Sequence, residues 1–541
     1  MMSRSYRIRI LIITLSLVAT VWIAFDRHAN AQNAKELTPQ ERRGKQIYLK
    51  GESEGGEIMA TLGSSDLDLP GTSFPCVNCH GLRGEGGDEG GLKPAPINWE
   101  ALTSPHESAL TGSKRGPYNE ATLNRAITLG IDASANRLHP GMPHYRMTRA
   151  QMDDLIAYLK KIGKEADADP GLSEDEIKVG AALPMTGQLA RIGEDVKAAL
   201  EAYFKEVNAQ GGIYGRRFEL VVEDSRGDVA GTTEATKKLV EQDKVFALVG
   251  SYEPARSSTT NDYLKQQEVP LIGPVTLSPR PPTIPNRFVF YLLPSFSDQT
   301  RALVDFISSE EMQAKGKAAK RIAVVLSESD FDQDALAGVK AQAKLDGIQI
   351  VAEQSYKAGK LSASMVVASI AKEKPDYVFF FGNGDDFVAF ANEIDRAKLD
   401  AGLLGSSIMA GRGAFTLPAS VAARTFLAYP ASLPTREEFE EFVTVMQKAN
   451  ANIRSAAFQS VAFAAAKILV EATRNGSRQM SRAVLINSLE GLRDFRTGVV
   501  PPVTFGPNRR VGAAGSYIVG VDIVNKRYVP VSERVVPKGS Q

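Results

Sequence analysis

Two cysteines and a histidine form the most chemically informative motif of this 541-residue chain. Cys76 and Cys79 bracket two residues, His80 follows at once, and the sequence holds no other cysteine. A disulfide between the two cysteines would close a very small loop and remove little chain entropy. A thioredoxin-like redox pair follows a strand, whereas the segment before Cys76 is rich in turns. A structural zinc site needs four protein ligands, and there is no second pair of cysteines to complete one. In C-x-x-C-H both thiols can add to haem vinyl groups while the imidazole reaches iron, so the motif favours c-type haem attachment.

A second axial ligand to such an iron must come from well downstream. The candidates are His139, Met142, His144 and Met147. We predict Met142, because the flanking Gly141 and Pro143 favour an extended loop that can present a thioether, whereas a methionine at the head of a helix is more often core. Methionine–histidine ligation usually sets a high reduction potential and closes the coordination sphere, which favours electron transfer over oxygen or peroxide chemistry.

A helix is expected to position these ligands from the C-terminal side. It follows Met147, with Thr148 as its N-cap. Its apolar residues fall on one face, which is typical of a helix packed on a core: Leu155, Ile156 and Leu159, with Tyr158 beside them.

The stretch from about Leu37 to Ile162 resembles a class I cytochrome c domain, through the C-x-x-C-H motif, the loop "PGMPHY" and the helix after Met147. The resemblance implies that the family's first helix lies over "PQERRGKQIYLKG", ahead of the cysteines. The resemblance implies a small all-α domain. It implies one haem c, covalently attached to Cys76 and Cys79, with His80 and Met142 as the axial ligands of the iron.

The same resemblance implies contacts around the motif. Gly44 and Tyr48 match the small and aromatic positions that pack on the last helix. A proline carbonyl should accept a hydrogen bond from the His80 ring, which fixes the ring and tunes the iron. Pro94 and Pro96 are both candidates for that acceptor.

The first thirty residues have a different character from the rest. Arg4, Arg7 and Arg9 precede an apolar run over 10–25, and "ANA" follows at 29–31. This pattern predicts a secretory signal peptide over 1–31, with an uncleaved N-terminal membrane anchor as the alternative. Export would place the protein in the periplasm of a bacterium. No later tract is expected to span a bilayer, and a formal net charge of +1 argues against nucleic-acid binding.

The larger part of the chain has an alternating pattern. After a cytochrome-like region over 32–165 and an acidic linker over 166–176, apolar strands alternate with helices from 177 to 541. Near-continuous Val, Ile and Phe strands indicate parallel sheets covered on both faces. The region is too long for one sheet, so we predict two α/β lobes.

The loops between these elements show no catalytic pattern. They contain neither a phosphate loop nor a serine nucleophile elbow. All five histidines lie outside this region, so the usual general base is missing. We therefore expect binding rather than catalysis.

The region from Ile177 to about Tyr528 resembles periplasmic binding proteins of the leucine/isoleucine/valine type. The match runs through "VGAALPMTGQLARIGEDVKAALEAYFKEVNAQGG", "VFALVGSYEPARSS" and "VPLIGPVTLSP". It implies two lobes that close on a small ligand, with three chain crossings between them. The expected lobes are 177–295 with 430–500, and 296–429 with 501–541.

The resemblance also assigns ligand contacts. Ser251 and Thr276 match donors to a ligand carboxylate, and Phe331 stands where the family often has a tyrosine. Amino-acid binders hold the ligand ammonium with an acid on the loop that here reads "GSSIMAG", where Ser406 and Ser407 stand instead. An ammonium without that partner is costly to desolvate, so an ordinary α-amino acid is not the expected ligand.

Three further side chains leave alternatives open. Arg412 can hold a carboxylate bidentately or lie solvated in its loop. Tyr252 and Phe331 can stack on a flat ligand or simply pack in the cleft wall.

The ligand expected is a carboxylate or an aromatic molecule, and the expected redox partner is a periplasmic protein such as a dehydrogenase. The alternative function is a substrate-binding receptor of an ABC-type uptake system with an accessory cytochrome.

Overall fold

The computed structural model describes residues 37–538, except 63–66, 87–93, 108–111, 165–166, 255–257, 277–285, 317–318, 432–435, 477 and 479. The segment predicted as a signal peptide or anchor lies outside the described residues. The chain divides into two compact units, residues 1–168 and 169–541, and each is described by itself.

The first unit is built mainly from helices around one apolar core. In chain order its elements are α1 (Pro39–Lys50), β1 (Met59–Thr61), β2 (Asp68–Pro70), α2 (Val77–His80), α3 (Trp99–Leu102), β3 (His106–Glu107), β4 (Lys114–Arg115), α4 (Glu120–Leu129), β5 (His144–Arg146) and α5 (Arg149–Leu159). The insert before the cysteines supplies β1 and β2, which form an antiparallel sheet with β5 in the order β2-β1-β5. These short strands add to the predicted all-α fold.

Helices α1 and α5 cross at Gly44. A Cβ at this glycine would lie 2.0 Å from the carbonyl oxygen of Asp154, so no larger residue fits this crossing without movement. One turn further on, the rings of Tyr48 and Tyr158 lie 5.5 Å apart between centroids. Each helix starts with a capping box, the first at Thr38 and the second at Thr148, as the sequence predicts for the second.

The second unit begins with a parallel sheet. Its first elements are β6 (Glu176–Leu183), α6 (Ala190–Ala209), β7 (Arg217–Asp224), α7 (Val229–Glu241), β8 (Ala247–Val249), α8 (Ser258–Gln267), β9 (Leu271–Ile272) and β10 (Val289–Phe290). The strand order is β10-β9-β8-β6-β7, with parallel pairing throughout. This sheet forms the first lobe.

The chain then builds a second lobe. Its elements are α9 (Phe296–Ser308), α10 (Glu310–Ala314), β11 (Arg321–Ser327), α11 (Asp330–Asp346), β12 (Gln349–Tyr356), α12 (Ala363–Ala371), β13 (Tyr377–Phe381), α13 (Gly384–Arg396), β14 (Gly402–Ser406), α14 (Ser407–Ala410), a 3-10 turn (Gly411–Thr416), α15 (Ala419–Ala422) and β15 (Thr425–Tyr429). Strand β13 is buried along its whole length, as expected for a strand covered on both faces.

The chain next returns to the first lobe through α16 (Arg436–Lys448), α17 (Ala456–Asn475) and α18 (Arg482–Glu490), and ends in the second lobe with β16 (Tyr517–Asp522) and β17 (Arg527–Pro530). The second sheet has the order β12-β11-β13-β14-β15-β16-β17, and only the last two pairings are antiparallel. These paths give three crossings between lobes.

One expected lobe boundary is wrong. Val503 and Phe505 lie in the first-lobe core, and Val511 pairs with Tyr291 next to β10. The second-lobe share therefore begins near Ser516 rather than at residue 501. The physical reason is that the segment before Ser516 buries its apolar side chains under the first sheet.

Helix α17 corrects a second expectation. By length and composition it is apolar enough to cross a membrane, although no tract beyond the N-terminus was expected to be. In the structure 72% of its most apolar window is buried, which is typical of the core helix of a lobe.

The segment predicted as the linker, 166–176, is held at both of its ends. The Asp167 carboxylate accepts from the amide of Gly163 at 3.0 Å and from the Tyr158 hydroxyl at 3.2 Å, within the first unit. In the second unit, the Asp169 carboxylate accepts from the amide of Arg482 at 2.6 Å, and the Lys178 amide donates to the carbonyl of Gly171 at 2.7 Å. Residues from Asp169 onward are thus part of the second unit's structure.

Candidate haem site and ligand cleft

The cysteine motif forms a short helix, and its two cysteines differ in their exposure to solvent. Cys76 is the N-cap of α2 and is half-buried, whereas Cys79 is exposed, and both are free thiols. The His80 amide donates to the carbonyl of Cys76 at 2.9 Å, which places the imidazole one turn from the first thiol. Burial raises the pKa of the Cys76 thiol to about 11, a property that disappears once the sulfur becomes a thioether.

The His80 ring is buried and held by one hydrogen bond. Its Nδ1 donates to the carbonyl of Ala95 at 2.9 Å. This corrects the expectation that Pro94 or Pro96 supplies the acceptor: the oxygen belongs to the residue between them, since the two rings fix the chain on each side of it. Burial lowers the pKa of His80, the Ala95 bond opposes this, and Nε2 is the nitrogen left to bind iron.

The first residues of the glycine-rich loop are hydrogen-bonded to the motif. The Gly86 amide donates to the carbonyl of His80 at 3.0 Å. Gly86 has a φ of +79°, and a Cβ there would lie 2.3 Å from the Pro94 carbonyl oxygen. Glycine at this position therefore lets the proline segment approach the histidine.

Two tyrosines that sequence analysis did not connect with the motif fix the chain on both of its sides. The Tyr48 hydroxyl donates to the carbonyl of Gly81 at 2.5 Å, and the Tyr145 hydroxyl donates to the carbonyl of Phe74 at 2.6 Å. Burial raises the pKa of both phenols, so both stay protonated donors. The signal for Tyr145 was its place in "PGMPHY", directly after the predicted ligand loop.

The four predicted distal candidates lie in different surroundings. Met142 is in a turn closed by its amide donating to the carbonyl of His139 at 2.8 Å, and both Met142 and Met147 pack, half-buried, on the same core as Cys76. His139 is exposed, and its Nδ1 accepts from Gly141. The His144 ring packs on Gly130, where a Cβ would lie 2.1 Å from Nε2. These contacts favour a methionine over a histidine as the second ligand of the iron.

The residues present fit a covalently attached haem. Two free thiols flank a two-residue spacer, a buried imidazole has one nitrogen engaged by a carbonyl, and two thioethers border the same apolar core. Cys76 and Cys79 would hold the porphyrin and His80 would hold the iron.

The cleft residues of the first lobe lie together at the carboxyl edge of its sheet, where open parallel sheets bind ligands. Ser251 is buried, and its hydroxyl oxygen accepts from the Ala182 amide at 3.1 Å. Tyr252 is half-buried and forms a parallel bridge with Val275, the residue before Thr276. The structure therefore brings Ser251, Tyr252 and Thr276 close together in one layer.

The second-lobe candidates follow β11 and β14. The Ser406 hydroxyl donates to Gln299 Oε1 at 3.1 Å, and Ser407 is buried at the start of α14. Arg412 is exposed in the 3-10 turn. Phe331 is the second residue of α11, and its side chain lies outside the described part of the structure.

Two features near these residues were not predicted from the sequence. Glu253, next to Tyr252, accepts hydrogen bonds from two buried side chains of the first lobe instead of lying in solvent. Beside the "GSSIMAG" loop, the Tyr528 hydroxyl donates to the carbonyl of Gly411 at 2.9 Å, and the Tyr528 ring lies 4.9 Å from that of Phe415. The position of Glu253 at a strand's carboxyl end was the available signal for the first.

Comparison with known proteins agrees with both resemblances. Residues 176–527 match the family model described as periplasmic binding protein, and residues 72–163 match that of cytochrome c. A similar protein is Leu/Ile/Val-binding protein homolog 7 of Brucella abortus (strain 2308), 22% identical over 339 residues, which are 59% of this chain and 82% of that protein.

Solved structures show the same fold. A fatty acid ABC transporter substrate-binding protein from Thermomonospora curvata is 20% identical, with a TM-score of 0.54 over 69% of this chain and 95% of its own. A branched chain amino acid ABC transporter from Thermus thermophilus with bound valine is also 20% identical, with a TM-score of 0.54 over 68% of this chain and 97% of its own.

The predicted fold class, a cytochrome c domain followed by a two-lobed α/β binding-protein domain, is thereby confirmed. A cytochrome c domain implies covalently attached haem c, and proteins of both families are typically periplasmic. The chain belongs to the periplasmic binding protein family and carries a cytochrome c domain ahead of the binding module.

Proposed function

We propose that this chain is a periplasmic electron-transfer protein that carries one haem c on Cys76 and Cys79, with His80 and Met142 as iron ligands. The observation that carries this proposal is the buried His80 ring directly after Cys79, with Nδ1 bonded to the carbonyl of Ala95. When bound, haem c supplies reversible one-electron transfer at its iron.

The chain's own residues have positioning roles in this proposal. The Ala95 carbonyl holds the His80 ring in one tautomer and one orientation. The hydroxyls of Tyr48 and Tyr145 anchor the backbone on the two sides of the motif. A ligand sphere closed by Met142 leaves no open position for substrate, and neither cytochrome c domains nor binding proteins of this type are enzymes in general.

The test is the pigment of the protein purified from the periplasm. We expect a red protein that keeps its colour through acid–acetone extraction and yields one haem per chain as the pyridine adduct. A Cys76→Ala, Cys79→Ala double variant should release all pigment on extraction. A colourless wild type, or one whose pigment extracts, would contradict the proposal. Binding of carbon monoxide to the reduced wild-type protein with no methionine to displace from the iron would contradict the closed sphere.

For the binding module, we propose a small carboxylate or aromatic ligand rather than an ordinary α-amino acid. Ser251, Tyr252 and Thr276 supply donors and a ring at one sheet edge, while Ser406 and Ser407 stand where an ammonium would need an acid. The ligands named for solved relatives, a fatty acid and valine, both carry a carboxylate.

Thermal-shift screening of the whole protein addresses this ligand class. Aromatic acids, alcohols, amides and amino acids are compared at equal concentration. We expect an acid without an α-ammonium group to raise the unfolding midpoint of the binding module. A larger rise with leucine or valine would contradict the proposed class.

The proposed redox partner is a periplasmic dehydrogenase, with the binding module locating the partner or gating the exchange. Reduction by a candidate dehydrogenase is followed at the haem absorbance, with and without a ligand found by screening. We expect the rate to change when the ligand is present. Equal rates with every ligand tested would contradict a coupled role.

A second candidate function is a receptor for an ABC-type uptake system. The observation that favours it is that both solved relatives are described as parts of ABC transporters. A deletion strain that loses solute uptake while its respiration is unaltered would support the receptor over the electron-transfer protein.

We further propose that export follows from the signal peptide over 1–31 or from the same segment retained as an anchor.

A further inference from the structure

Arg115 in β4 is the one lysine or arginine that is buried among the described residues of the first unit, with an exposed fraction of 8%. Burial lowers its pKa, but an arginine stays charged in a protein, so its guanidinium needs a negative partner. The acid that acts on its charge is Asp132, and the two side chains form no hydrogen bond with each other. The buried positive charge of Arg115 therefore lacks a carboxylate in direct contact.

The hydrogen bonds of Arg115 leave one edge of its guanidinium open. Nη1 donates to the carbonyls of Ser104 at 3.0 Å, Gly116 at 3.2 Å and Leu102 at 3.3 Å, and Nη2 donates to that of Ala101 at 3.1 Å. Nε and the second hydrogen of Nη2 have no acceptor in the part of the chain that the structure describes. These two hydrogens point from the same edge, which is an edge that binds a carboxylate bidentately.

Two side chains close to Arg115 also have donors without an acceptor. The Arg115 guanidinium lies 4.5 Å from the centre of the Tyr118 ring, and the Tyr118 hydroxyl has no hydrogen-bond partner among the described residues. Arg125 Nη2 donates to the carbonyl of Asp132, but Arg125 Nε is buried and makes no hydrogen bond within the same residues. The charges that act on Tyr118 are those of the two arginines and Asp132, so one positive charge is left over.

This arginine group lies between the two segments that lead to the predicted iron ligands. On one side Arg115 bonds to the end of α3, which follows the Ala95 segment that holds the His80 ring. On the other side the amide after Arg115 donates to Ser134 Oγ at 3.0 Å, ahead of the loop of the predicted methionine ligand. Tyr118 belongs to the apolar core on which the first cysteine of the motif packs. The open donors therefore border the region where we propose the haem.

We infer that the Arg115 guanidinium, with the Tyr118 hydroxyl beside it, binds a propionate of the covalently attached haem. A haem c has two propionates, on the edge of the porphyrin away from the vinyl groups that cysteines capture. A propionate would supply both the acceptor that the open edge of Arg115 lacks and the negative charge that the arginine group lacks. A water molecule would supply only the acceptor. The inference rests on the proposed haem attachment and adds two residues to the haem site.

The contact has a consequence for the redox potential. An ionised carboxylate near the iron favours the ferric state, and protonation of that carboxylate favours the ferrous state, so the potential rises where a propionate gains a proton. A guanidinium in contact keeps the carboxylate ionised to lower pH. The other titratable groups near Arg115 are Asp132 and, on the paired strands β3 and β4, His106, Glu107 and Lys114. Infrared spectra of haem labelled with 13C in its propionate carboxyls separate the propionates from these side chains.

The test is a pH titration of the whole haem-loaded protein, followed by these infrared bands and by the midpoint potential. In Arg115→Gln we expect one propionate pKa to rise by roughly 1–3, and the potential to rise as the pH falls through that pKa. Arg115→Lys keeps the charge but not the planar fork, so it should show a smaller rise. Arg149→Gln removes an exposed guanidinium from α5 and should titrate as the wild type does.

A further variant guards against a simple folding defect. Tyr118→Phe keeps the aromatic ring beside the guanidinium and removes only the hydroxyl, so it should retain one haem per chain and the methionine-to-iron band. We expect the same propionate pKa to rise in this variant, by less than in Arg115→Gln. Propionate pKa values equal to those of the wild type in both Tyr118→Phe and Arg115→Lys would overturn the inference.

A crystal structure of the haem-loaded protein gives a direct readout. A propionate oxygen within hydrogen-bond distance of Arg115 Nε or Nη2 supports the inference, and two propionates that both lie elsewhere would overturn it. A wild type without covalent haem would instead contradict the proposed function. The failure of the inference and the failure of the proposed function are thus distinguishable.

Discussion

Met142 and Met147 both pack on the cytochrome core, but their backbone settings differ. Met142 lies in a turn between Gly141 and Pro143, whereas Met147 joins β5 to the cap of α5. We expect Met142→Ala to abolish the methionine-to-iron charge-transfer band in the near-infrared region and to open a coordination position. The oxidised visible and near-infrared spectrum is the measurement.

Met147→Ala is the matched control for this prediction, since it removes the same thioether from the same core. It should keep the charge-transfer band and lose some stability only. Persistence of the band in Met142→Ala, together with its loss in Met147→Ala, would move the ligand to Met147.

At the scale of residues, the sequence is most informative where side-chain types define the site. The spacing of Cys76, Cys79 and His80 predicts thiols and an imidazole, whatever the fold around them. The acceptor for His80 is a main-chain oxygen, which every residue has, so nothing in the sequence separates Ala95 from its proline neighbours. Glu253 was missed because Tyr291, whose hydroxyl donates to its carboxylate, lies 38 residues away in the chain.

The crossing of α1 and α5 leaves no room for a side chain at Gly44. A Cβ at Gly44 would meet the Asp154 carbonyl oxygen at 2.0 Å. We expect Gly44→Ala to force the helices apart and to lower the unfolding free energy of the cytochrome unit by about 1–3 kcal/mol, as overpacking does, despite alanine's better helix propensity. Urea unfolding followed at the haem absorbance measures this.

Gln46→Ala on the exposed side of the same helix is the control for that prediction. It should leave the urea midpoint nearly unchanged, because surface substitutions away from packing contacts usually have small effects. A Gly44→Ala variant as stable as Gln46→Ala would show that the crossing relaxes freely.

At the scale of elements, long periodic segments were predictable and short ones were not. Helices α1 and α5 have caps and apolar faces that the sequence displays. Strands β1 and β2 have three residues each and pair with each other, and β1 also pairs with the distant β5, where Thr61 is opposite His144, so no local pattern marks them. Val503 and Phe505 are plainly apolar, but apolarity does not say which lobe will bury them.

Across the whole molecule, the boundary between units determines which fragments should be stable. Asp169, Gly171 and Ser173 bond to the body of the second unit, Ser173 through its carbonyl, which accepts from Arg216 Nε at 2.6 Å. We expect a fragment over 169–541 to unfold at a temperature several degrees above that of a fragment over 177–541. Calorimetry of both fragments, with the whole protein as reference, checks this. Equal midpoints would contradict a structural role for residues 169–176.

The hydrogen bond from His80 to a peptide oxygen has a consequence for how the protein responds to acidity. Many histidines at redox or metal centres donate a hydrogen bond to the carboxylate of an Asp or Glu, and that carboxylate becomes protonated in acid. A peptide oxygen does not ionise in this way, so the hydrogen bond that it accepts from the ring does not change with pH. As far as this bond contributes, the midpoint potential of a haem bound through His80 would not change with pH.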